Sequence, residues 1–107
     1  MSTYRYMRSI LMFDLPVETV AQRRNYRKFI KFLKTNGFIM FQESIYIKLS
    51  INEASVKSTI SLIKSNLPKD GNISMLTVTE KQFANIEYFL GDFEATIINS
   101  DARYIEL

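Results

Sequence analysis

Histidine and cysteine are both absent from these 107 residues. Their absence excludes thiol nucleophiles, disulfides, imidazole general bases and the ordinary zinc ligand sets. Any hydrolytic chemistry must then be carried by carboxylates together with a hard cation such as magnesium. Long apolar stretches are missing too. Runs such as Ile10-Leu11-Met12-Phe13 fall far short of the ~18 residues that a bilayer-crossing helix needs, and nothing resembles a signal peptide. The expectation is a cytoplasmic protein with no membrane partner. No internal repeat, low-complexity tract or interdomain linker is visible.

What the chain does contain is apolar surface. It is 47% hydrophobic and 13% aromatic, with eight Phe and six Tyr. One domain of this size has a single modest core, so the excess predicts a second buried face, most simply a homodimer interface. The formal charge is +3, an imbalance whose distribution matters more than its size.

Ile10 to Phe13, stopped by Asp14-Leu15-Pro16, reads as a central strand covered on both faces. Residues 17–36 read as a helix, with Pro16 and Glu18 at its start and Gly37 as its stop. Phe38 to Phe41 and Ile45 to Leu49 are β-rich runs around Gln42-Glu43-Ser44, which predicts a hairpin or bulged ribbon. In the second run Ile45, Ile47 and Leu49 face one way, Tyr46 and Lys48 the other. Asn52 caps a second helix running to about residue 66. Pro68 to Asn72 forms a turn, residues 73–79 a fourth strand, and residues 86–90 a fifth. The order predicts an α+β, ferredoxin-like βαββαβ fold with an antiparallel sheet and an additional C-terminal strand. Residues 1–91 form the domain. The tail, 92–107, keeps β-type patterning in Thr96-Ile97-Ile98 and Arg103-Tyr104-Ile105 and could dock a partner as an edge strand. Both helices should cover one sheet face and leave the other bare.

On the first helix, Tyr26, Phe29, Ile30, Phe32 and Leu33 share one side. Arg23, Arg24, Arg27, Lys28, Lys31 and Lys34 occupy an arc of about 140° opposite, uninterrupted by any acid. A solvated helix face is the plain interpretation of such a stripe. Six unpaired like charges repel one another, however, and phosphates would neutralise them. Backbone binding to nucleic acid is the favoured expectation, with Arg5, Arg8 and Lys48 as further contacts. Asp14 ends the central strand. It can serve as a turn residue, or as a magnesium ligand if a two-fold axis brings Asp14 of both chains together. Glu18, Glu43 and Glu80 read as surface or capping groups.

Four stretches carry a family resemblance: Arg8 to Pro16, Tyr26 to Leu33 with Asn36 to Met40, Gln42 to Leu49, and Gly71 to Phe83. In this order they resemble the CRISPR-associated protein two family over about residues 5–90, in the variant found with single large effector nucleases. The resemblance implies a ferredoxin-like homodimer. It also implies that the homodimer bridges two dimers of the integrase, CRISPR-associated protein one, and holds double-stranded prespacer DNA during spacer acquisition. It assigns Asp14 as the metal-associated residue and proposed centre of a magnesium-dependent endonuclease, acting on RNA or DNA. Within the family some members cleave RNA, some DNA and some neither, and the partner performs integration. Many members carry Tyr before this Asp where the present chain has Phe13, so a phenol that could assist catalysis is missing. The resemblance also suggests that the C-terminal segment docks the integrase. The rival expectation is a ferredoxin-like regulatory or protein-binding module with no nucleic-acid role.

Overall fold

The computed structural model describes residues 6–93. Its elements run β1 (Met7–Asp14), α1 (Val20–Thr35), β2 (Ile39–Gln42), β3 (Ile45–Ser50), α2 (Glu53–Lys64), β4 (Asn72–Thr79) and α3 (Glu80–Ala84). The strands form one sheet in the order β2-β3-β1-β4, and each neighbouring pair is antiparallel. This is the predicted α+β, ferredoxin-like arrangement. β1 is interior, and its side chains alternate as a period of two requires. Ser9, Leu11 and Phe13 are buried towards α1 and α2, whereas Met12 and Asp14 are exposed on the opposite side.

The main core joins Leu11, Phe13, Leu15, Phe29, Leu33, Phe38, Tyr46 and Ile63. Full burial of each such side chain is worth about 1.5–3 kcal/mol. Phe13 sits at its centre, edge-on to Phe29 at 5.7 Å and tilted against Tyr46 at 5.8 Å. The sequence grouping of Tyr26, Phe29, Ile30, Phe32 and Leu33 therefore marks the face of α1 that packs on the sheet.

α1 begins later than residue 17 because its start is fixed by side-chain capping. The Thr19 hydroxyl accepts from the Gln22 N–H at 3.0 Å while the Gln22 side-chain Oε1 accepts from the Thr19 N–H at 3.0 Å, a capping box that satisfies otherwise orphaned donors. Glu18 precedes the cap, so no acid lies in the first turn. The far end closes as a Schellman motif. Gly37, at φ +87°, lets its N–H reach Lys34 and that of Phe38 reach Leu33. Phe38 and Leu33 then meet in the core. Asn52 caps α2 as predicted, accepting from the Ser55 N–H at 2.9 Å. The β2–β3 connection is a bulged ribbon, with a register shift between Met40 and Gln42 and Ser44 at φ 65°.

Two expectations need correction. Residues 86–90 form no strand. The chain leaves β4 into the short helix α3, capped by Thr79 and Gln82 in a second capping box. Consequently the face opposite α1 and α2 is not bare. Phe83 of α3 packs with Phe41 and Ile47, joined by Ile10, Ile45, Val78, Ile86 and Phe93. This second cluster shields the part of that face around Ile47 and leaves Met12 at 37%, Leu49 at 43% and Leu76 at 55% exposed. The edge-strand expectations for Thr96 to Ile98 and Arg103 to Ile105 lie outside the described residues. No helix among the described residues is long and apolar enough to cross a membrane.

Candidate nucleic-acid interface and metal position

The core packing of α1 dictates where its cations go. With Phe29 and Leu33 turned into the sheet, Arg23, Arg24, Arg27, Lys28, Lys31 and Lys34 are all exposed. From Arg23 to Lys34 the stripe extends about 16 Å at 1.5 Å per residue. None of the six forms an ion pair with another described residue. Arg23 differs from the rest because its guanidinium curls back to donate to the carbonyls of Val17 at 3.0 Å and Glu18 at 2.9 Å. It ties down the loop entering α1. Arg24, Arg27, Lys28, Lys31 and Lys34 keep their charge directed to solvent.

The remaining cationic candidates are placed differently. Arg8 lies on the α3 side of the sheet and is committed there: it donates to Glu80 through two nitrogens, one at 3.3 Å, and sits 4.8 Å above the Phe83 ring. Lys48 is on the α1 side, half-buried, its ammonium 5.9 Å from the Phe38 ring centre and its stem beside Gly37. It extends the cationic surface past the C-terminal end of α1. Arg5 lies outside the described residues.

Asp14 is exposed at the last position of β1, paired with Asn72 of β4. Neighbouring backbone holds it in place. The Phe13 N–H donates to the Ser44 carbonyl at 3.1 Å. On the other flank Gly71, at φ +105°, lies so close that a Cβ there would come within 2.7 Å of the Asp14 carbonyl oxygen. By the alternation of β1, the Asp14 side chain is on the face with Met12, whereas α1 lies on the other face. Within one chain the structure therefore does not bring the carboxylate and the cationic stripe together. Among the described residues no group of three or more acidic, histidine or cysteine side chains could hold a metal. A single exposed carboxylate offers the hard oxygen that magnesium prefers but is only part of a site.

Sequence reasoning missed the role of Glu80 and Phe83, which bind Arg8 and plate α3 onto the sheet. The spacing Thr79-Glu80-Lys81-Gln82 is the same capping-box signal as Thr19 to Gln22, and it was there to be read.

These features define a class of protein: a small α+β, ferredoxin-like domain with a cationic outer helix and an acid at the end of its central strand. Comparison with known sequences narrows this. The sequence model for CRISPR associated protein Cas2 matches residues 7–86. A protein of Streptococcus mutans serotype c (strain UA159) named CRISPR-associated endoribonuclease Cas2 is 52% identical, covering 94% of this chain and 93% of its own. Proteins of that name from Treponema denticola and Ligilactobacillus salivarius are 44% and 43% identical over 94% of this chain and 100% of theirs. The chain belongs to the Cas2 family.

Proposed function

We propose that this chain serves CRISPR spacer acquisition as a homodimeric scaffold that binds double-stranded prespacer DNA and bridges dimers of the integrase, CRISPR-associated protein one. The observation that carries this reading is the stripe of cations on the outer face of α1, five of them without an ion-pair or hydrogen-bond partner for the side chain among the described residues. Such an array tracks a phosphate backbone without reading bases. The second copy is suggested by Met12 and Leu76, exposed on the sheet face that α3 leaves uncovered. An axis passing near them would bring the two Asp14 carboxylates together, since Asp14 follows Met12 on the same face of β1.

The names of the relatives favour a second activity, cleavage of RNA, with DNA as the other substrate to be tested. On this reading the two Asp14 carboxylates hold a divalent cation, magnesium or a similar ion. When bound, such a cation neutralises phosphate charge and lowers the pKa of a coordinated water. The contribution of this chain is to hold Asp14 rigidly, between the Ser44 contact and the closely approaching Gly71 backbone.

The scaffold reading is tested by measuring duplex affinity against ionic strength. Five phosphate contacts from each of the two protomers, about ten in all, predict a loss of about 10⁵-fold between 50 and 200 mM salt. A flat response would favour a regulatory or protein-binding module with no nucleic-acid role.

A further inference from the structure

We infer that the groove between α1 and the loop after α2 is a subsite for an unpaired, phosphate-bearing nucleotide of the nucleic acid held by α1, an inference that rests on the proposed duplex binding. The groove has a volume of about 440 Å³, within the ~300–1,000 Å³ range of small-molecule sites. Its floor is apolar, formed in part by Phe32, which stacks on Phe29 at 6.0 Å, and by Leu67, which is 53% exposed. Two exposed cations, Lys28 and Lys69, stand at its edges, and no carboxylate lines it. Asp70, next in sequence to Lys69, lines the adjoining small cleft instead.

The C-terminal end of α2 also abuts the groove, and its partial negative charge would oppose an anion. Here that end is closed. The carbonyls of Ser61, Leu62 and Ile63 accept from Ser65, the Asn66 side chain and the Asn66 N–H respectively, and Lys64 supplies a compensating charge in the last turn. With its amide nitrogen used on Leu62, Asn66 offers an oxygen acceptor, and Asn25 on the α1 side offers both donor and acceptor.

Cation, apolar floor and amide in one concave site match the parts of a nucleotide: phosphate, base face and base edge. A paired base inside a duplex has both faces covered by its neighbours and cannot enter a recess. A strand end or an unpaired nucleotide can, and stacking a base on an apolar platform contributes about 1–3 kcal/mol. Lys28 belongs to both the α1 stripe and the groove, so a backbone followed along α1 arrives there without crossing neutral surface.

The test uses the full chain and two labelled DNA duplexes of equal paired length, one blunt and one with a short single-stranded extension. Wild type should bind the extended duplex about tenfold more tightly, the equivalent of one stacked base. Lys69→Ala and Leu67→Ser, both at exposed positions, should bring the extended duplex down to blunt affinity and leave blunt affinity unchanged. Equal binding of the two duplexes by wild type would overturn the subsite while leaving the duplex reading standing. Equal loss on both in Lys69→Ala would reduce Lys69 to a general phosphate contact and overturn it likewise. Wild type that binds neither duplex at low salt overturns the duplex reading and the subsite with it.

Discussion

Arg8 of β1 and Glu80 of α3 are ion-paired on the sheet face opposite α1, with the guanidinium lying over the Phe83 ring. The pair is partly shielded, with side chains 19% and 33% exposed, so its worth falls between that of surface and buried pairs. Glu80→Gln should cost about 1–2 kcal/mol in chemical denaturation by loosening α3 from the sheet. Arg8→Ala should lose comparable stability but leave duplex affinity unchanged, because this charge is spent inside the fold. A loss of affinity in Arg8→Ala matching that in Lys31→Ala would show that Arg8 reaches phosphate after all.

A second prediction concerns the backbone beside Asp14. Gly71→Ala meets two penalties: a φ of +105° and a Cβ placed 2.7 Å from both the Asp14 carbonyl oxygen and the Leu15 Cδ2. Gly37→Ala meets only the first, since its nearest neighbour is the flexible Lys48 side chain at 3.5 Å. Gly71→Ala should therefore cost about 2 kcal/mol or more and Gly37→Ala about 1 kcal/mol. Thermal denaturation of the two variants gives the comparison, and equal melting temperatures would rule out the close approach at Asp14.

The contrast between these glycines shows what was legible in the sequence. Gly37 as a helix stop follows from local chemistry: periodicity ends, a left-handed residue follows, and Phe38 returns to the core against Leu33. The four strands, α1 and α2 were legible for the same reason, as was the opposite orientation of Tyr46 and Ile47. The close approach of Gly71 to Asp14 depends on β4 pairing with β1 and leaves no local mark. Ile86 to Leu90 reads as a strand from its composition, yet Thr79 and Gln82 start a helix first and Phe83 docks it. Of the interface, the α1 stripe was readable from helix geometry alone. The commitment of Arg8 to Glu80 and of Arg23 to the carbonyls of Val17 and Glu18 required tertiary and loop contacts that spacing does not encode.

Those Arg23 contacts make the stripe unequal. Each phosphate contact removed should lower the slope of log affinity against log salt by about 0.9. A substitution removes one contact from each protomer, so Arg24→Ala and Lys31→Ala should each lower the slope of the dimer by about 1.8, whereas Arg23→Ala should show less and instead lower thermal stability by loosening the entry to α1. A full slope change in Arg23→Ala with no loss of stability would mean that its guanidinium leaves those carbonyls to bind the duplex.

Asp14→Ala separates the proposed cleavage from binding. The side chain is exposed and on the sheet face away from α1, so stability should stay within about 0.5 kcal/mol of wild type and duplex affinity should be unchanged. Magnesium-dependent cleavage of RNA should fall to background. Activity retained by this variant would remove Asp14 from the reaction, and inactive wild type on both RNA and DNA would leave the scaffold as the whole function.

Dimerisation through the uncovered part of the sheet makes the most demanding prediction. Leu76, 55% exposed, lies opposite Ile10 in the β1–β4 ladder, two pairs along from Met12 and on the same face. A carboxylate at this point stays solvated in a single chain but faces an apolar partner surface, and its own copy, across an interface. Leu76→Glu should therefore leave the circular dichroism of the fold intact while sedimentation velocity shows a single-chain mass at micromolar concentration. Duplex affinity should drop by about 10²-fold or more, because two linked cationic helices bind far more tightly than one. A dimer that survives Leu76→Glu would place the contact elsewhere and with it dissolve the reason for pairing the two Asp14 carboxylates.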